Sequence, residues 1–166
     1  MTVGANTGER IFRGIGVAPG VVRGRVVILD PDHTERPPRR RVEPQDQPAE
    51  LERLQNALAE TRRQISDIQA TVRNSMGSSD AAIFDAHLLV IEDQTLLDEV
   101  KKFIAEQSVN VEFAFYEVAE KYVQALDAVE DEFLRERAAD IRDVTARVLA
   151  NLTGHTEQDL SHITEP

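Results

Sequence analysis

The chain of 166 residues contains no cysteine. It therefore has no disulfide, no thiolate metal site and no cysteine nucleophile, a composition that fits a reducing compartment. No apolar run approaches the roughly 20 residues that a membrane-spanning helix requires. The opening residues, MTVGANTGERIFRG, also lack the apolar core of a signal peptide. We therefore expect a cytoplasmic protein with no membrane partner.

Patterns that indicate catalysis or metal binding are equally scarce. His87 has no second histidine three to five residues away, which a histidine metal site would need. Ser161 and His162 are adjacent, but no third group is evident to orient the imidazole for nucleophilic catalysis. The glycines near the start are not followed by the Lys-Ser or Lys-Thr pair of a phosphate loop. We predict no catalytic residue, no metal site and no cofactor in this chain.

The charge is divided unevenly along the chain. Residues 1–43 hold eight arginines and five acids, whereas residues 44–166 hold eleven lysines or arginines against twenty-five acids. A strongly acidic surface repels phosphate backbones and attracts basic proteins, so the balance argues against nucleic-acid binding. The same charge also fits a simple role in keeping the helices soluble, and both explanations stay open at this point.

The apolar spacing predicts a mainly α protein. Residues 11–29 are rich in β-branched side chains around a Pro-Gly turn, which predicts two short strands, and a proline- and arginine-rich linker follows. From Pro48 the apolar residues recur at helical spacing until Gly77, which predicts one long amphipathic helix. Further helices are predicted to begin at Ser78 or Ser79, at Asp93, at Ser108 or Asn110, and near Asp131, the last of them ending at Gly154. Short connections between such helices predict an antiparallel helical bundle.

Three segments carry a resemblance to a known family. They read GIGVAPGVVRGRVVIL, DAAIFDAHLLVIEDQTLLDEV, and DEFLRERAADIRDVTARVL followed by NLTG. The chain resembles the N-terminal part of Enzyme I of the bacterial phosphotransferase system, the phosphoenolpyruvate-protein phosphotransferase. The resemblance implies a helical HPr-binding bundle inserted in an α/β phosphohistidine domain, which is incomplete here. It assigns residues 1–43 to opening strands and linker, residues 44–154 to the helical domain, and residues 155–166 to a return segment.

The resemblance also implies a function for the whole enzyme. That enzyme moves phosphate from phosphoenolpyruvate to its own histidine and then to a histidine of the carrier protein HPr. It uses Mg²⁺ and forms a homodimer through a C-terminal domain. The family's phosphorylated histidine lies in a G-G-x-x-S/T-H segment that has no counterpart in this sequence, so His162 does not take that role. The chain is expected to supply only carrier docking and to be inactive alone.

Nine positions match the family's docking face, and we refer to them together as the docking surface. They are Ala82, Asp85, His87, Leu89, Val90 and Asp93 around the second helix, and Leu126, Leu134 and Arg137 on the facing helices. His87 fits this surface and also fits a buried core position. Family members often carry glutamates where this chain has Ser78, Ser79, Gln94 and Thr95, so we expect a thinner acidic rim. The alternative function is a non-catalytic helical module that pairs with itself or with another helical partner.

Overall fold

The computed structural model describes residues 36–154, and this part of the chain is a bundle of α-helices. The predicted mainly α fold is therefore confirmed. The strand pair expected over residues 11–29, the return segment 155–166, His33, His155 and His162 all lie outside the described residues. A short 3-10 turn precedes the helices, which are α1 (Gln47–Ser75), α2 (Ser78–Ala81), α3 (Ile83–Ile91), α4 (Gln94–Gln107), α5 (Val111–Asp127) and α6 (Glu132–Thr153).

Helix α1 packs against α6 through its apolar face and through one buried hydroxyl. Thr61 interrupts the apolar spacing of α1, yet its side chain is fully buried. Its hydroxyl donates to the carbonyl of Ala57 at 2.8 Å and accepts from the amide of Asn151 on α6 at 2.8 Å. Because both hydrogen-bonding capacities of the hydroxyl are satisfied, the threonine is tolerated in the core and fixes the register of the two helices.

The predicted second helix is wrong in one respect, because it is broken at Ala82 into α2 and α3. The amide of Ala82 donates to Ser79 and the amide of Asp85 donates to Ala82, so the chain tightens into three-residue hydrogen bonds there. On α1, Gln69 donates to the carbonyl of Ala81 at 3.3 Å and to Asp85 at 2.7 Å. A side chain from another helix thus satisfies backbone that the break leaves unpaired.

Three predicted helix ends are confirmed by their cap geometry. Asp93 accepts from the amides of Thr95 at 2.8 Å and Leu96 at 3.1 Å and so begins α4. Asp131 accepts from the amide of Leu134 at 3.2 Å and begins α6. Gly154 follows α6 with a φ of 71°, the left-handed conformation in which glycine commonly ends a helix.

Helix α5 begins at the predicted place, but the capping group comes from another helix. Asn110 is the N-cap residue and makes no side-chain cap. Instead, Glu50 of α1 accepts from the amide of Val111 at 2.7 Å. The side chain of Asn110 accepts from the amide of Arg40 at 2.7 Å and donates to Glu112 at 2.8 Å. The segment around Arg40 that precedes α1, which we call the entry segment, is thereby tied to the start of α5.

A buried carboxylate holds this end of the bundle together. Glu112 is only 3% exposed and accepts hydrogen bonds from Arg53, Asn110 and, at 3.4 Å, Arg40. Arg53 also donates to Glu50 at 2.8 Å and to the carbonyl of Leu152 at 3.1 Å. Burial raises the pKa of the Glu112 carboxyl, but the hydrogen bonds and charge of Arg53, together with the hydrogen bond of Asn110, lower it by more. The pKa is therefore below its ordinary value. The network joins α1, α5, the end of α6 and the entry segment.

Two apolar clusters set the position of α3. The larger cluster fills the space between α1, α4, α5 and α6, and Leu88 and Phe84 of α3 pack against it. The smaller cluster lies between the C-terminal half of α5 and the first half of α6, with Val90 and Leu126 packed against it. Because α3 contributes to both clusters, its inner side is fixed and its outer side is left to solvent.

Candidate protein-docking surface

The outer side of α3 presents one leucine between carboxylates. Ala82, Asp85 and Leu89 follow each other at intervals of three or four residues, which places them on one side of a helix. Asp93 follows the end of α3 as the N-cap residue of α4, and all four residues are exposed. Leu89 is 63% exposed, whereas Phe84, Leu88, Val90 and Ile91 of the same helix are buried or partly buried against the apolar clusters. We call these four residues the outer stripe. An apolar centre with negative groups at both ends is suited to contact a basic, partly apolar protein surface.

Val90, Leu126 and Leu134 of the docking surface are half-buried. The first two pack against the smaller apolar cluster, so they support the surface from below. Only part of each side chain is accessible to a visiting protein. The structure thus brings the predicted apolar residues of α3 and α5 together, while it leaves Leu89 as the most exposed of them.

His87 points inward, toward α6. Its side chain is 12% exposed, and its Nε2 lies 3.4 Å from an oxygen of Asp140 and 4.0 Å from an oxygen of Asp143. The ring of Phe84 meets it edge-on, with centroids 5.8 Å apart. The sequence left open a contact or boundary residue of the docking surface and a buried core residue. An exposure of 12% fits a residue at the boundary between α3 and α6.

Arg137 lies at the start of α6 and is held on both sides. Its side chain is 37% exposed, and its Nη1 lies 3.5 Å from the second oxygen of Asp140. Its guanidinium carbon lies 5.1 Å from the ring centroid of Phe133, an exposed aromatic residue one turn earlier. Sequence reasoning did not single out Phe133 or Asp140. The spacing of four between Phe133 and Arg137, which puts side chains on the same helix face, was the available signal.

Two acids of α3 and its end are already engaged by side chains of α1. Glu92 pairs with Arg62 of α1 at 2.7 Å, and Asp85 accepts from Gln69. Ser78, Ser79, Gln94 and Thr95, which stand at the expected rim positions, are all exposed. Asp93 is exposed as well, but its carboxylate also caps α4. Because the acids of this surface are exposed to solvent, electrostatic attraction here is expected to be sensitive to salt.

The described residues form neither a metal site nor a membrane-spanning helix. Within residues 36–154, no three histidine or acidic side chains are grouped so that they could hold a metal ion. Over the same range, no helix combines the length and the apolar character that crossing a bilayer demands.

Comparison with known proteins agrees with the resemblance seen in the sequence. A family model described as PEP-utilising enzyme, N-terminal, matches residues 13–137. The phosphoenolpyruvate-protein phosphotransferase of Geobacillus stearothermophilus is 38% identical over 158 residues, covering 95% of this chain and 27% of the relative. The protein of the same name from Bacillus subtilis is 36% identical over 155 residues, covering 93% of this chain and 26% of the relative. The chain thus spans about 27% of the length of such relatives.

The fold is matched by a solved structure. The NMR solution structure of Enzyme I superposes with a TM-score of 0.71 at 30% sequence identity, covering 77% of this chain and 52% of that one. The family match spans more than half of the chain and includes α3, α5 and the start of α6. The chain therefore belongs to the PEP-utilising enzyme N-terminal family.

Proposed function

We propose that the helical bundle docks HPr or an HPr-like phosphocarrier protein, as the docking part of a phosphoenolpyruvate-protein phosphotransferase. The observation that carries the proposal is the outer stripe of α3, where Leu89 is 63% exposed between Asp85 and Asp93. A large apolar side chain held in water on a well-packed helix is stabilised when a partner covers it. Supporting contacts come from the half-buried residues Val90, Leu126, Leu134 and Arg137.

The chemistry of the partner follows from the charge. Residues 44–166 carry fourteen more acidic than basic side chains, that is twenty-five against eleven. Such a surface accelerates the encounter with a carrier that presents basic and apolar residues around its acceptor histidine. Because the rim is thin, the apolar contact at Leu89 contributes most of the affinity and the charges contribute mainly to association rate and orientation.

The reaction of the whole enzyme is part of the same proposal. Phosphate passes from phosphoenolpyruvate to a histidine of the enzyme and from there to the carrier in the cytoplasm. The enzyme acts as a homodimer and uses Mg²⁺. The described residues of this chain do not fit a magnesium site, so no step is assigned to the metal here. The helical bundle over residues 44–154, inserted between residues 1–43 and 155–166 of an α/β body, would hold the carrier while the transfer occurs.

Titration of unlabelled HPr into the ¹⁵N-labelled chain tests the docking. At low ionic strength we expect amide shifts concentrated in residues 82–93 and 126–137, with an affinity that weakens as salt is added. Absence of binding at low salt would count decisively against the proposal. Shifts centred on α4 would do the same, because they would place the contact on another face of the bundle.

Two matched pairs of variants separate the apolar contribution of Leu89 to HPr binding from the electrostatic contribution of Asp85. Leu89→Ala removes the apolar centre, and Met76→Ala is its control, since Met76 is also exposed but lies at the end of α1. Asp85→Lys reverses a charge of the outer stripe, and Glu106→Lys makes the same change in net charge near the end of α4. We expect only the first member of each pair to weaken HPr binding. Mass measurement over a range of concentrations tests the alternative, because a self-pairing helical module would associate without HPr.

A further inference from the structure

Asp140 on α6 is a carboxylate shared by two side chains, one inside the bundle and one at its surface. Its side chain is only 16% exposed. One oxygen lies 3.4 Å from His87 Nε2, and the other lies 3.5 Å from Arg137 Nη1. Because the two partners use different oxygens, rotating the carboxylate toward one of them moves it relative to the other. The carboxylate thus lies between the imidazole and the guanidinium, within 3.5 Å of both.

Within residues 36–154, the nearest carboxylate to Nε2 of His87 is that of Asp140 at 3.4 Å, and an oxygen of the mostly exposed Asp143 lies at 4.0 Å. This nitrogen is buried and lacks a hydrogen-bond partner in the described part of the chain. A buried polar atom without a hydrogen bond destabilises the folded protein. A small approach of the Asp140 carboxylate, which lies 3.4 Å away, would supply that hydrogen bond. Helix α1 also packs against α3, but its charged group on that side, Arg62, is paired with Glu92 at 2.7 Å.

Arg137 gains a defined position from its two neighbours on α6. Phe133 supports the guanidinium one turn before it, and Asp140 lies one turn after it. The planar guanidinium presents several N–H donors in a fixed arrangement, so its orientation decides which acceptors it meets. Since Asp140 compensates its charge, Arg137 offers these donors without adding net positive charge that would repel a basic carrier.

We propose that His87 is a positioning residue for the docking surface: by holding Asp140, it fixes the Arg137 guanidinium over Phe133. The inference rests on the proposed function, because Arg137 belongs to the docking surface. It assigns to Arg137 a role in specificity, through donation to carbonyl or carboxylate oxygens beside the apolar contact of the carrier. His87 acts on the carrier only through Asp140 and Arg137.

A double-mutant cycle with HPr tests whether His87 acts through Arg137. We expect His87→Leu and Arg137→Ala each to lower the affinity by about two- to tenfold, and their effects not to add, because the two residues share Asp140. The double variant should bind no more weakly than Arg137→Ala alone. His87→Gln, whose amide can donate from near the position of Nε2, should recover most of the affinity. If the two single effects multiply in the double variant, His87 acts independently of Arg137 and the proposal is overturned.

A second measurement needs no carrier. The side-chain Nε–Hε resonance of Arg137 should shift, and its proton should exchange faster, in His87→Leu but not in His87→Gln. An unchanged resonance in His87→Leu would overturn the inference. If that variant does not fold, Asp140→Asn removes the same link with little change in volume and should move the resonance in the same way. If wild-type chain does not bind HPr at low salt, the proposed function fails, while the Arg137 resonance still decides this inference.

Discussion

Replacing Glu112 by glutamine tests the account of how the bundle is held together. The wild-type carboxylate is 3% exposed and accepts charge-assisted hydrogen bonds from Arg53 and Arg40 as well as a bond from Asn110. Glutamine keeps the size of the side chain but removes the charge. Its amide nitrogen also brings hydrogen-bond donors to a site where the neighbouring side chains are themselves donors. We therefore expect Glu112→Gln to lower the free energy of unfolding.

The size of this loss in unfolding free energy depends on the partners that Arg53 keeps in Glu112→Gln. Removing one member of a fully buried ion pair costs about 3–5 kcal/mol, because the other charge is left without compensation. Here Arg53 is partly exposed and keeps its hydrogen bond to Glu50 at 2.8 Å, so its charge is not stranded. The loss should therefore be smaller, about 2–3 kcal/mol, close to the value of one or two charge-assisted hydrogen bonds.

Urea unfolding followed by far-ultraviolet circular dichroism measures this loss directly. Glu106→Gln is the control, since Glu106 is exposed and its partner Lys102 lies 3.8 Å away, and an exposed pair contributes only about 0–1 kcal/mol. The reasoning is refuted if Glu112→Gln is no less stable than Glu106→Gln at neutral pH.

The pH dependence gives an independent check. The pKa of Glu112 is lowered in the folded protein, so its ionisation contributes stability that is present above the unfolded value of about 4.3 and is lost as the pH falls through the folded value. Glutamine does not titrate. The gap in stability between wild type and Glu112→Gln should thus be widest near neutral pH and narrow below about pH 4. A gap of constant size over this range would contradict the assignment.

Three further predictions concern other parts of the bundle. Leu89 is 63% exposed, and burying most of a leucine contributes roughly 1–2 kcal/mol. Leu89→Ala should therefore raise the Kd for HPr about five- to thirtyfold in calorimetry, whereas Met76→Ala should leave it unchanged. Asp93→Ala removes the α4 cap and should cost about 1 kcal/mol in urea unfolding, while Asp93→Ser should retain most of the stability. Thr61→Val removes one acceptor of the Asn151 side-chain amide and should lower the free energy of unfolding by about 1–2 kcal/mol, with the helix content of the protein unchanged. A stability equal to or higher than that of the wild type would show that the hydroxyl contributes nothing.

Helix positions were predictable because their signals are local. The spacing of apolar residues marks which face of α1 is buried, and Asp93, Asp131 and Gly154 act on backbone groups within three residues of themselves. The break at Ala82 was not predictable in this way, because the groups that satisfy it include Gln69 on another helix. The cap of α5 was missed for the same reason, since Glu50 reaches it across 61 positions of sequence.

For the docking surface too, the sequence predicted some features and only the packed structure decided others. Resemblance to the family indicated its nine residues, and helical spacing alone puts Ala82, Asp85 and Leu89 on one side of α3. Which side faces water depends on the clusters against which α3 packs, and these are made by α1, α4, α5 and α6. For that reason the exposure of Leu89 and the inward direction of His87 emerged only from the packed structure.

The sequence by itself determined the helical class, most helix ends and the family, since each of these depends on residues close together in the chain or on short matching segments. The tertiary structure alone decided the burial of Glu112 and the sharing of Asp140 between His87 and Arg137. A charged or polar side chain is stable inside a protein only where distant elements supply its partners. No local pattern records which partners the fold will bring to it.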